Sequence, residues 1–73
     1  MRKTFKLKDL DCANCAAKME NALNEIDGIE HASISFMTSK LVIDAADEDF
    51  DMILNEAQAR ISKIEPDCVI VRP

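Results

Sequence analysis

Apolar and polar residues alternate from Thr4 to Leu10, with Phe5, Leu7 and, less regularly, Leu10 set against Lys6 and Lys8. That two-residue period predicts a half-buried strand. From Cys15 the period lengthens. Ala16, Met19, Leu23 and Ile26 recur at spacings of three and four, while Lys18, Asn21, Asn24 and Glu25 take the other face, which predicts an amphipathic helix. Asp27-Gly28 closes it, and Gly28, the only glycine in the chain, stands where a left-handed conformation costs least.

Ile29 to Phe36 places Ala32, Ile34 and Phe36 on one face against His31, Ser33 and Ser35, and a polar stretch at Thr38-Ser39-Lys40 separates it from Leu41-Val42-Ile43. Two antiparallel strands joined by a hairpin follow. Beyond the acidic segment Asp44 to Asp49, the residues Phe50, Ile53, Leu54, Ala57, Ile61 and Ile64 mark a second helix, stopped by Pro66. Acidic residues in its first turn suit the positive end of its dipole. Cys68 to Arg72 carries the β-branched run Val69-Ile70-Val71 and reads as a last strand. The order βαββαβ predicts an α+β, ferredoxin-like sandwich, a four-stranded antiparallel sheet with both helices on one face.

Residues 1–73 read as a single domain with a thin core, as expected for so short a chain. Hydrophobic residues make up 48% of it, enough to fold rather than remain disordered. There is no room for a catalytic domain, so the chain is not expected to be an enzyme. A formal net charge of -5, from 14 acidic against 9 basic residues, argues against nucleic acid, which needs a basic surface. It suits cations or a basic partner. No apolar run approaches the roughly 20 residues needed to span a bilayer, and no signal-like segment follows the basic start. A soluble, cytoplasmic chain is expected.

Chemistry concentrates in Leu10-Asp11-Cys12-Ala13-Asn14-Cys15-Ala16-Ala17-Lys18, at the junction of a strand end with a helix start. Cys12 and Cys15 are too close in sequence to staple distant elements, so in a reducing compartment the pair reads as metal-binding or redox-active. Thiolate is the metal-binding form, and a helix N-terminus favours it. Two sulfurs do not make a closed four-ligand zinc site. Asp11 is either a third ligand or a turn and cap residue. Asn14 reads as a helix cap. Cys68 reads as a small buried hydrophobe, with an approach to the metal loop as the alternative, His31 as a solvated histidine, and Met19, Met37 and Met52 as core or loop filler.

With the motif, element order and length in agreement, the sequence resembles the heavy-metal-associated domains found in soluble copper chaperones, in the periplasmic mercury-binding protein and at the N-termini of metal-transporting P-type ATPases. The resemblance runs from Thr4 to about Val71 and carries the family's functional cysteines onto Cys12 and Cys15. Leu10 stands where the family often has Met. Asp11 stands where copper members commonly carry Thr, Ser or His, and an Asp-Cys-x-x-Cys order is similar to bacterial zinc, cadmium and lead exporters, in which this carboxylate joins the thiolates. The similarity to that subgroup extends to Cys15-Ala16-Ala17-Lys18-Met19-Glu20-Asn21-Ala22 and Ile64-Glu65-Pro66-Asp67, where the Gly-Tyr or Lys of many copper members is absent.

The resemblance implies one heavy-metal ion held by Cys12, Cys15 and Asp11 and passed to a metal-transporting P-type ATPase or a metallochaperone. Zn²⁺, Cd²⁺ and Pb²⁺ are favoured, because a hard oxygen suits a divalent, borderline ion and gains little with soft Cu⁺. The alternatives are a copper chaperone or copper-ATPase domain and, less in keeping with the element order, a thiol-disulfide oxidoreductase. A monomer is expected, with a metal-bridged dimer through the exposed loops as an option.

Overall fold

In the computed structural model, which describes residues 1–71, the alternating apolar residues of four strands face two helices. The elements are β1 (Arg2–Lys8), α1 (Ala13–Asn24), β2 (Ile29–Ser35), β3 (Lys40–Ala45), α2 (Phe50–Ile64) and β4 (Val69–Val71), with one 3-10 turn at Asp47–Asp49 before α2. The sheet order is β2-β3-β1-β4, every neighbouring pair antiparallel. This is the ferredoxin-like arrangement expected from the sequence.

Phe5 and Leu7 of β1, Ala32 of β2, Leu41 and Ile43 of β3 and Ile70 of β4 share one core with Met19 and Leu23 of α1 and Ile53, Leu54, Ala57 and Ile61 of α2. Met19, Leu23, Leu41, Ile43 and Ile61 are fully buried. Truncating side chains of this kind to Ala costs about 2–5 kcal/mol, so the core holds the sheet and both helices as one layered unit.

Side chains from the two helices seal the edges of the sheet. Asn24 donates from Nδ2 to the Ala32 carbonyl (2.9 Å) and accepts the Ala32 N–H at Oδ1 (2.8 Å), while Glu20 accepts the Ile34 N–H (2.7 Å), all on edge strand β2. At the other edge Gln58 donates to the Cys68 carbonyl (3.0 Å) and accepts the Ile70 N–H (2.8 Å) beside β4. Edge groups that would otherwise template further pairing are thereby occupied.

Several boundaries differ from the sequence expectation, each for a local reason. β1 stops at Lys8 because Asp9 takes a left-handed φ of 61°, yet Leu10 beyond it is still buried. A bulge between Ile29 and His31 resets the register of β2, so Ile29 and Ala32 both point inward despite their odd spacing. β2 ends at Ser35, which leaves Phe36 in the turn at 38% exposure rather than on the core face. Of the three methionines read as filler, only Met19 is core. Met37 is 90% exposed in the β2–β3 turn, and Met52 is 73% exposed on α2. Gly28 has φ +100°, as its place after α1 requires. The expected last strand begins at Val69, and Arg72 lies outside the described residues.

Antiparallel pairing decides which loops meet. Lys6 of β1 pairs with Lys40, the first residue of β3, and Lys8 pairs with Val69, the first residue of β4. The segment 9–12, the β2–β3 turn and the α2–β4 turn therefore share one end of the sheet. A bond from the Leu7 N–H to the Ser39 carbonyl (2.7 Å) ties two of them together.

Candidate metal centre

Leu10 anchors the segment between β1 and α1 by inserting into the core, and Ala16 does the same from the first turn of the helix. The residues between them are left at the surface, with Cys12 and Cys15 half-buried and Cys15 packed against the edge of the core. α1 begins at Ala13, two residues earlier than its apolar period suggests. Its N-cap is Cys12, in extended conformation (φ -130°, ψ 119°). Neither Asp11 nor Asn14 caps the helix: Asn14 lies inside its first turn, and the capping group is the Cys12 sulfur.

Cys12 Sγ accepts the Cys15 N–H at 3.3 Å, and the Cys12 carbonyl accepts the Ala16 N–H at 3.0 Å. An ionised sulfur is a better acceptor than a thiol, and it lies at the positive end of the helix. The hydrogen bond from the Cys15 side chain, followed by those from the Cys15 and Asn14 amides, lowers the Cys12 thiol below its ordinary value, against burial and the Glu65 charge. Cys15 is raised, first by sharing its proton with Cys12, then by burial and by the charges of Cys12 and Glu65, with Lys18 one turn along α1 opposing them. Of the pair, Cys12 is therefore the one that ionises more readily.

Cys68 is fully buried, and burial, reinforced by Glu65, Asp9 and Asp11, pushes its thiol up to about 11. It is a neutral core residue, as the small-hydrophobe reading expects. His31 is exposed on β2. Asp11 is exposed beside Cys12, and its side chain has no hydrogen bond among the described residues. Its amide instead donates to Glu65 Oε1 (3.3 Å). Among the described residues no group of three or more Cys, His, Asp or Glu is already gathered as a metal cage.

Periodicity does not reveal that Glu65 reaches the cysteine segment, where its Oε1 accepts the Asp11 N–H. Pro66 bars Glu65 from the helical region, and Glu65 leaves α2 in extended conformation (φ -141°, ψ 96°). The turn that follows is closed by the Cys68 N–H donating to the Glu65 carbonyl (3.1 Å). The carboxylate is thus turned toward the segment that carries the cysteines. The available signal was the Glu-Pro dipeptide at a helix end, which marks an extended residue but not what it faces.

No helix among the described residues is long and apolar enough to cross a membrane. A family model described as heavy-metal-associated domain matches residues 4–67. The chain is 30% identical over 66 residues, 90% of its length, to a cadmium, zinc and cobalt-transporting ATPase of Bacillus subtilis, strain 168, of which it covers 9%. It is 43% identical over 44 residues, 60% of its length, to a zinc/cadmium/lead-transporting P-type ATPase of Escherichia coli, strain K12, of which it covers 6%. The chain therefore spans less than a tenth of either relative. Among solved structures, the N-terminal domain of ZntA in the Zn(II) form superposes with a TM-score of 0.68 at 28% identity, over 96% of this chain and 88% of that one. On the extent of the family match and the shared fold, the chain belongs to the heavy-metal-associated domain family.

Proposed function

We propose that this chain binds one divalent heavy-metal ion, Zn²⁺, Cd²⁺ or Pb²⁺ in preference to Cu⁺, through the thiolates of Cys12 and Cys15 with a carboxylate of the same loop, Asp11. The ion is cargo, passed to or sensed for a metal-exporting P-type ATPase in the cytoplasm. The observation that carries this reading is the Cys12 sulfur at the N-terminus of α1, held by the Cys15 amide on an accessible end of the domain. Few ligands at a surface let an acceptor's thiols replace them one at a time, so metal moves by ligand exchange without release to water. The names of the ATPase relatives support the divalent assignment.

Charge supports the same choice. Two thiolates and one carboxylate leave a Zn²⁺ complex at minus one but a Cu⁺ complex at minus two, and the oxygen donor suits only the harder ion. The test is competition among Zn²⁺, Cd²⁺, Pb²⁺ and Cu⁺ at buffered free-ion levels, with the reduced wild-type chain and Asp11→Asn. The divalent ions are expected to bind more weakly to Asp11→Asn while Cu⁺ is spared. Equal effects on Zn²⁺ and Cu⁺ contradict the role of Asp11 and favour a copper-handling domain.

A further inference from the structure

The helices cover one face of the sheet and leave the other open. On the open face the register sets Lys6 directly opposite Lys40, with Val71 on its other side, and Lys8 opposite Val69. All three lysines are exposed, and none of them has an ion pair among the described residues. Val69 and Val71 beside them are 45% and 43% exposed. Like charges directly opposite one another on a sheet face repel. The chain holds 14 acidic against 9 basic residues, yet Asp44, the acidic residue in register on this face, stands at its far end and pairs with Arg2 (3.3 Å). Glu30 lies in the β2 bulge at that same end. The domain is electrically two-sided, acidic as a whole and basic along this strip.

We propose that the strip formed by Lys6, Lys8 and Lys40 with Val69 and Val71 docks the domain on the anionic headgroups of a lipid bilayer, against which it lies without inserting. Only the nearness of a membrane is taken from the functional reading above, since the pump served there is a membrane transporter. Lysine is a mobile, strongly hydrated point charge, matched to headgroups that move rather than to one fixed partner. The rest of the open face is a ladder of short side chains, Ser35 beside Lys40 and Thr4 beside Val42. Relief able to seat a shaped peptide lies on the helix side, in a groove of about 570 Å³ lined by Ile26, Met52 and Ile53.

A lysine close to an anionic leaflet strengthens binding by roughly fivefold, so three together give on the order of a hundredfold. The net charge of -5 opposes this less than its size suggests. The domain measures 16 Å along its shortest axis, about two screening lengths of ~8 Å at physiological ionic strength. Exposed acids on the helix layer, such as Asp51 and Glu56, are therefore largely hidden from headgroups at the sheet. Lys8 ends β1, just before the segment that carries the cysteines. A domain resting on this strip holds Cys12 and Cys15 beside the membrane surface and turns its helices to solution.

The experiment is co-sedimentation of the full reduced chain with vesicles of phosphatidylcholine alone or of phosphatidylcholine and phosphatidylglycerol in roughly equal parts, at low and physiological salt. The wild type is expected to pellet with the anionic vesicles only, and less so as salt rises. A triple variant, Lys6→Gln, Lys8→Gln and Lys40→Gln, is expected to lose this binding by about tenfold or more, with a Tm equal to or above that of the wild type because the repelling pair is gone. In ¹⁵N-labelled wild type the amide signals of Lys6, Lys8, Lys40, Val69 and Val71 are expected to weaken before those of α2 as anionic vesicles are added. Cys12→Ser is expected to bind vesicles as the wild type does, so failure of the metal site and failure of this surface are read separately. No binding to anionic vesicles at low salt, binding undiminished in the triple variant, or signal loss centred on the helices overturns the proposal. So does perturbation of the strip by polyglutamate where the vesicles have no effect, which assigns the strip to an acidic protein instead.

Discussion

Cys12 caps α1 with its sulfur, accepting the Cys15 N–H at 3.3 Å, so the atom that would hold a metal also holds the helix in place. Ser, Thr, Asp and Asn are the ordinary residues for this position. A cysteine there is a weaker cap as a thiol and a better one as a thiolate, which couples ionisation of the site to the start of the helix.

Cys12→Ser therefore restores an ordinary cap and is expected to leave the apo domain at least as stable as the wild type, whereas Cys12→Ala is expected to be less stable because an amide at the helix start loses its acceptor. Thermal denaturation by circular dichroism under reducing conditions checks the order. A Cys12→Ala domain as stable as Cys12→Ser would remove the capping role.

The three thiols should react in a fixed order. With Cys12 lowered, Cys15 raised and Cys68 both buried and raised to about 11, iodoacetamide near neutral pH is expected to modify Cys12 first, Cys15 later and Cys68 only after unfolding. Peptide mass spectrometry over time reads this directly. Because each ligand thiol must lose its proton to bind, metal affinity is expected to fall as pH falls.

Cys68 also sets a stability limit at high pH. Its folded value lies above the 9.0 of an ordinary thiol, so the unfolded chain loses that proton first. The stabilisation is complete below about 9 and declines as pH rises toward about 11. Urea unfolding is expected to show this decline in the wild type and a shallower one in Cys68→Ala. Parallel profiles would mean that Cys68 ionises freely in the folded state.

The edge seals can be tested on the fold alone. Asn24→Ala removes both bonds to Ala32, and Gln58→Ala removes those to Cys68 and Ile70. Leaving such backbone groups without partners is expected to cost about 1–3 kcal/mol per variant in urea unfolding. Gln58→Ala should also free the β4 edge, and Asn24→Ala the β2 edge, for pairing with other chains. Changes within a few tenths of a kcal/mol would show that water replaces these side chains without loss.

The elements that were legible in the sequence are those in which a single periodicity spans the whole segment. Phe50, Ile53, Leu54, Ala57, Ile61 and Ile64 mark α2 from its first residue to its last. α1 was legible in its body and not at its start, because Cys12 does not belong to the usual capping set and Ala13 and Asn14 break no period. β2 was misread at its far end, since it stops at Ser35 and leaves Phe36 in the turn, and at its near end the bulge after Ile29 puts that residue out of step with Ala32, which sequence spacing does not mark. The cysteine pair was readable because its chemistry is local. Glu65 was not, because its partner Asp11 lies 54 residues away and only the antiparallel register of β1 with β4 brings the two turns together.

The most direct measurement of the central claim is a Cd²⁺ titration of the reduced chain, followed through the ultraviolet absorption of thiolate-to-cadmium charge transfer, for wild type, Cys12→Ser and Cys15→Ser. The account predicts saturation at one ion per chain in the wild type. Each single variant is expected to lose the charge-transfer band and tight binding while keeping the circular dichroism of the folded apo domain. Unchanged affinity in either variant would contradict a metal site built on Cys12 and Cys15.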